Sequence, residues 1–101
     1  MTSKTGKPID IVDPFARRLV GKYLARRLID VDNLLQAVRD SDFETVRITG
    51  HNLYGSGAAY GLHDISSIGA NLENAAEDAD AQQIERLIDD LKLFLDDLRV
   101  R

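Results

Sequence analysis

Apolar residues recur along this chain at intervals of three and four, and no segment alternates with a period of two. That regularity removes sheets from consideration. A half-buried strand places side chains on alternate faces, whereas three-and-four spacing paints one stripe down a helix. Val20, Leu24, Leu28, Val31, Leu35 and Val38 draw the first stripe, on a helix of about 25 residues. Asp13-Pro14 supplies its start, an N-cap followed by proline at the first helical position. Arg18, Lys22 and Arg26 line its outer side, and Asp40-Ser41-Asp42 breaks the pattern. Ser41 with Glu44 reads as a capping box for a second helix, which carries His51 and ends near Gly61. Asp64 is the expected cap of a third, with Ile65, Ile68, Leu72 and Ala75 on one face. Asp78-Ala79-Asp80 makes the next turn, and Asp80 with Gln83 caps a fourth helix striped by Ile84, Leu87, Ile88, Leu91, Leu95 and Leu98. Linkers this short force neighbouring helices antiparallel. The expected fold is therefore all-α, an antiparallel up-down four-helix bundle over residues 13–101 with a short N-terminal extension, residues 1–12. Within that extension Ile9, Ile11 and Val12 either pack on the end of the bundle or belong to a loose tail.

Composition narrows the class. A chain of 101 residues suits one domain and buries roughly two thirds of its unfolded surface. Hydrophobic residues at 44% and charged residues at 30% fit a soluble globular protein rather than a disordered one. With no cysteine, disulfides and cysteine–zinc sites are excluded and a reducing location is permitted. No apolar run approaches the roughly 18 residues of a membrane span. The first dozen residues, with Lys4, Lys7 and Pro8, lack the apolar core of a secretory signal, so the expected location is cytoplasmic. The net charge of −4 is uneven: residues 1–50 hold nine Lys/Arg against seven Asp/Glu, and residues 51–101 hold four against ten. The acidic half argues against nucleic-acid binding, which needs a broad positive surface. Solvated helix faces account for both charge sets. The basic residues of the first helix still leave a small patch that suits an acidic partner or a membrane surface.

Four glycines, Gly50, Gly55, Gly57 and Gly61, fall within twelve residues. Gly50-x-x-x-x-Gly55 mimics the start of a phosphate loop, but Ser56-Gly57 follows in place of Lys-Ser/Thr and no strand precedes it. A dinucleotide fingerprint fails on spacing and context. The glycines fit better as thin places on a helix. Gly50 and Gly57, seven apart on the core side, admit a neighbouring helix, and Gly55 clears the side of His51. No metal site is expected. His51 and His63 have no third ligand at useful spacing, and the Asp78–Asp89 stretch lacks the central glycine and closing glutamate of a calcium loop. No Glu-x-x-His pair supports a di-iron bundle. Asp89-Asp90 and Asp96-Asp97 read as a solvated face. Ser56 is five residues from His51 and points elsewhere on the helix, so no catalytic triad forms.

His51 remains. Ile48, Tyr54, Gly55 and Ala58 share its face, whereas Val46, Leu53 and Tyr60, each seven apart, form the opposite, buried face. A helical glycine one turn beyond an exposed imidazole costs roughly 1 kcal/mol of propensity. A merely solvated position has no need of that cost, and room for a large partner explains it. A neutral imidazole keeps one ring nitrogen's lone pair free. Its free nitrogen is a good nucleophile toward phosphorus, and the resulting phosphoramidate is labile enough to pass the group on. Such transfer asks the protein mainly for positioning and charge stabilisation. A rigid helix provides the first, and Arg47, one turn earlier, is the candidate for the second. Ile48, Ala58 and Leu62 are expected to form an apolar apron for a docking partner. An exposed histidine is by itself usually just that; Gly55 and the apolar rim single this one out.

His51-x-Leu53-x-Gly55-Ser56, the ten residues from His51 to Gly61, and then Leu72-Glu73 resemble the histidine phosphotransfer (HPt) domain family. Its pattern reads His-x-Leu-Lys-Gly-Ser, a glycine further on and a later Leu-Glu. The resemblance runs from residue 14 to residue 98 and includes the order and lengths of the helices. It implies a phosphorelay intermediate in two-component signalling. His51, matching the family's phosphorylated histidine, accepts a phosphoryl group from a histidine kinase or a receiver-domain aspartate and passes it to the receiver aspartate of a response regulator. It implies a phosphocarrier without kinase activity of its own, no cofactor, and any magnesium held by the receiver. Gly55 matches the small residue that admits the receiver's active site, Leu53 a core position and Ser56 a small polar one. The implied partners are a response-regulator receiver domain and a histidine kinase, with no nucleic acid and no membrane, and the chain is expected to be a free-standing monomer. One departure matters: Tyr54 stands where the family usually has lysine, beside the phosphoryl group. A phenol donates a hydrogen bond but carries no charge near neutral pH. Arg47 is expected to compensate by holding phosphate oxygens at two points. The alternative is a degenerate adaptor that docks signalling partners without transferring phosphate.

Overall fold

The computed structural model describes residues 14–99, with only the backbone described at Arg99. Four helices follow one another: α1 (Pro14–Arg39), α2 (Phe43–Ala59), α3 (His63–Glu77) and α4 (Ala81–Arg99). Each packs on its neighbours in sequence, and α4 closes the ring against α1. The bundle is elongated, 45 × 20 × 17 Å. No strand occurs among the described residues, and none of their helices is long and apolar enough to cross a membrane. α1 is described from Pro14 onward; the expected Asp13 cap and the extension 1–12 lie outside the described residues.

The three turns share one construction. In each, the middle residue takes a left-handed backbone, Ser41 at φ 56°, Gly61 at φ 73° and Ala79 at φ 51°. The following amide then reaches back five residues to close the preceding helix: Asp42 N to Ala37 O at 2.8 Å, Leu62 N to Gly57 O at 2.7 Å, and Asp80 N to Ala75 O at 2.9 Å. Glycine adopts this conformation freely, whereas Ser41 and Ala79 pay about 1 kcal/mol each for it. Two expected caps move by this construction. Ser41 is occupied in the turn and does not cap α2; Asp42 does, accepting from the Thr45 amide at 3.1 Å. Asp64 does not cap α3 but lies in its first turn, because the chain enters that helix from Leu62, whose carbonyl accepts from the Ser66 amide at 3.1 Å. The Asp80 cap of α4 stands as expected, at 3.1 Å from the Gln83 amide.

Leu34, Val46, Leu53, Ile65, Leu72 and Ile88 are among the fully buried side chains at the centre of the bundle. The α1 stripe is broader than its spacing suggests. Val31 and Val38 are buried, Val20, Leu24, Leu28 and Leu35 are only half-buried, and Tyr23, Leu34 and Ala37 go in alongside them. α1 touches two helices, so Tyr23 turns toward α2 while Leu24 and Leu28 line a shallow apolar groove with Leu95 and Leu98 of α4. The α2–α3 seam is the tightest. A Cβ on Gly50 would lie 2.7 Å from the Gly69 carbonyl oxygen, one on Gly57 2.6 Å from the Ser66 nitrogen, and one on Gly69 2.5 Å from the Tyr54 nitrogen. Glycine is required at all three, and Gly50 and Gly57 admit the neighbouring helix as their spacing implied.

Candidate functional site

Three sides of α2 are occupied. Val46 and Leu53 enter the core, Gly50 and Gly57 meet α3, and Ser56 meets α1. The fourth side faces solvent and carries Ile48, His51, Tyr54, Gly55 and Ala58, as their helical spacing requires. The His51 side chain is 66% exposed. Gly55 opens the space beyond it, since a Cβ there would find no atom within 4 Å. Two residues depart from expectation. Leu62 is buried, 1% exposed, because it is the entry to α3, and it contributes nothing to an apolar apron. Tyr60 is not a core residue; it is part-exposed at the end of α2 and stacks on Tyr23 with ring centroids 4.4 Å apart.

Behind His51 stands a residue for which the sequence suggested no role. His51 Nδ1 lies 3.4 Å from Glu73 Oε1 of α3. The contact follows from the glycine seam: a Cβ on Gly50, the residue before His51, would lie 2.8 Å from the Glu73 backbone nitrogen. Only a bare backbone at Gly50 lets α3 approach closely enough. Leu72-Glu73 is a visible signal in the sequence, but its meaning depends on that approach distance.

Arg47 is engaged elsewhere. Its guanidinium grips Glu44 at two points, Nε donating to Oε1 at 3.1 Å and Nη2 to Oε2 at 2.7 Å. That bond holds the Glu44 carboxyl below its usual range and raises the guanidinium's hold on its proton; Glu73 and Glu77 add to the latter. To meet a phosphoryl group on His51, Arg47 must leave Glu44. Tyr54 is half exposed beside His51, and its carbonyl oxygen accepts from the Ser66 hydroxyl at 2.8 Å.

The α1 side is riveted. Tyr23 Oη and Ser56 Oγ share a hydrogen bond of 2.7 Å, Arg27 Nη1 donates to Ser56 Oγ at 3.5 Å, and the Arg27 guanidinium lies 4.4 Å over the Tyr23 ring. Arg27 also pairs with Asp30 at 2.9 Å, yet burial pushes the Asp30 carboxyl up, outweighing the attraction of Arg27 and Arg26. These contacts hold α2 rigid just beyond His51. Among the described residues no three of His, Asp or Glu gather to hold a metal ion.

The model of one protein family, the Hpt domain, matches residues 18–100. No curated protein and no solved structure matches the chain.

Proposed function

Because the chain belongs to the Hpt domain family, whose members carry phosphoryl groups in two-component signalling, we propose that His51 is the phosphoryl acceptor and donor of a phosphorelay. The observation that carries this reading is the exposed imidazole, open on the Gly55 side and backed by Glu73. A carboxylate only accepts hydrogen bonds, so the Glu73 contact favours the tautomer with its proton on Nδ1 and leaves the Nε2 lone pair facing outward. Nε2 attacks the phosphorus of a receiver's aspartyl phosphate. The P–N bond forms as the P–O bond to the aspartate breaks, and the aspartate leaves as a carboxylate with that electron pair. The imidazole becomes cationic and keeps its Nδ1 proton, and Glu73 offsets the charge. The reverse step delivers the group to the next aspartate. Ile48, Tyr54, Gly55 and Ala58 form the surface on which the receiver seats, Tyr54 offers a hydroxyl to the phosphoryl oxygens, and Arg47 joins it on leaving Glu44. The protein supplies geometry and charge; the phosphoryl-transfer energy arrives with the partner.

The test is incubation with receiver domains charged by acetyl phosphate, or with a histidine kinase and ATP. Wild-type protein should acquire acid-labile, base-stable label and His51→Gln none. Label persisting on the variant overturns the assignment. A second reading, an adaptor that docks without transferring, draws on Tyr54 in the lysine position and on the Glu44–Arg47 pairing. Receiver binding that survives His51→Ala, with no transfer from several charged donors, would favour it.

A further inference from the structure

Three cations on α1 lie outside the His51 site described above, Arg26 entering it only as an attraction on Asp30. Arg18, Lys22 and Arg26 are all exposed, and none makes an ion pair with a described residue, in contrast to Arg27 and Arg47. The contacts of their neighbours fix where they lie. Tyr23 and Arg27 face α2, meeting Ser56 and Tyr60. One position on, Leu24 and Leu28 turn toward α4. One position back, Lys22 and Arg26 must turn the opposite way, onto the flank that borders the open side of α2. That flank adjoins the His51 surface.

Distance separates the three. Ser56 meets both Tyr23 and Arg27, so it is level with the turn between them and Arg26 stands beside it. At 1.5 Å of rise per residue and 8–10 Å between helix axes, Arg26 stands about 11 Å from His51. Lys22 and Arg18 follow at about 15 and 20 Å by the same geometry. A protein partner covering about 800 Å² of surface occupies a disc of roughly 16 Å radius. Centred on His51, it includes Arg26, meets Lys22 at its rim and stops short of Arg18. Its opposite side holds Glu44, Glu73 and Glu77 around the single guanidinium of Arg47. The footprint is therefore uneven in charge: on the α1 side Lys22, Arg26 and Arg27 outnumber the Asp30 carboxylate, and on the far side Glu44, Glu73 and Glu77 outnumber Arg47. A half-turn of the partner about His51 would bring like charges together, so the pattern admits one orientation.

Resting on the phosphotransfer reading of His51, we infer that Lys22 and Arg26 extend its docking surface onto α1 and select a receiver that presents an acidic rim there. The attraction both speeds encounter and turns the receiver's aspartate toward Nε2. The probe is a panel of purified receiver domains of differing surface charge, loaded with acetyl phosphate. For receivers that serve the wild-type protein, Lys22→Glu/Arg26→Glu should lower kcat/KM about tenfold or more at low salt and flatten its salt dependence. Arg18→Glu, with the same charge change outside the footprint, should stay within about twofold of wild type. Direct labelling of His51 by phosphoramidate, which needs no docking, should be unchanged in all three proteins. A double variant that matches wild type, or an Arg18→Glu that matches the double variant, overturns the inference. So does co-sedimentation with anionic phospholipid vesicles that the double variant loses, which would assign the ridge to a lipid surface. If no receiver transfers to wild type, it is the phosphotransfer reading that fails. The docking inference is then decided with beryllofluoride-loaded receivers: weaker binding by the double variant upholds it, and equal binding or none overturns it.

Discussion

His51 owes its exposure to what its neighbours lack. At Gly55 the missing side chain leaves the approach to the ring open, and nothing in the fold requires glycine there. Gly55→Leu should therefore fold and gain up to about 1 kcal/mol from helix propensity, while phosphotransfer collapses. Thermal melts beside transfer assays check both halves, and a variant that transfers normally shows that the lane is not used. At Glu73 the expected effect is smaller. A 3.4 Å contact between partly exposed groups is worth at most about 1 kcal/mol, so Glu73→Ala should slow transfer about two- to fivefold. The readout that separates positioning from mere structure is the ring itself: nitrogen-15 shifts of His51 should move toward the Nε2–H tautomer in Glu73→Ala and stay close to wild type in Glu73→Gln, whose amide oxygen still accepts. The face of His51 was legible in the sequence because helical spacing dictates which residues share a side of α2. Glu73 and the Tyr23–Ser56 rivet were not, because each depends on how closely a second helix approaches.

Among the elements, α2 carries the most constraint. It meets α3 backbone to backbone, and its first turn is held by two carboxylates. Gly69→Ala places a Cβ within 2.6 Å of the Gly50 carbonyl oxygen and 2.5 Å of the Tyr54 nitrogen. Neither atom can swing aside, so the helices must part, and overpacking of this kind costs about 1–3 kcal/mol. Chemical denaturation should show that loss and proton NMR a weakened His51–Glu73 contact; unchanged stability would mean the seam is looser than described. The other constraint responds to acid. Hydrogen bonds from the Thr45 hydroxyl and amide hold the Asp42 carboxyl low, and Arg47 does the same for Glu44. A carboxylate held low in the folded state contributes stability above its unfolded pKa of about 4 and loses it as pH falls through the folded value. Amide exchange at Thr45 should accelerate over that acidic range and much less so in Asp42→Ala, which has no cap to lose. The helix order was legible from the three-and-four spacing and the Asp-rich breaks. The exact caps were not, since Ser41 and Asp42 are both good capping residues and only the left-handed turn at Ser41 decides between them.

At the scale of the whole molecule, the proposed role asks the bundle to hold one ring outward at a fixed place on its surface. Its core of Leu34, Leu53, Ile65 and Leu72 lies behind α2 and none of it reaches the reacting atoms. Stability and activity should therefore separate: His51→Gln should melt as wild type does and transfer nothing. Composition made the absence of cysteine legible, but the split of charge about His51 appears only when α1 and α3 are set on either side of α2. The measurement that bears most directly on the account is nitrogen–phosphorus correlation NMR on nitrogen-15-labelled protein phosphorylated by a charged receiver domain. Transfer through the outward nitrogen should give one phosphohistidine, with phosphorus coupled to Nε2 of His51. Coupling to Nδ1, a signal at His63, or a phosphohistidine that survives His51→Gln would contradict it.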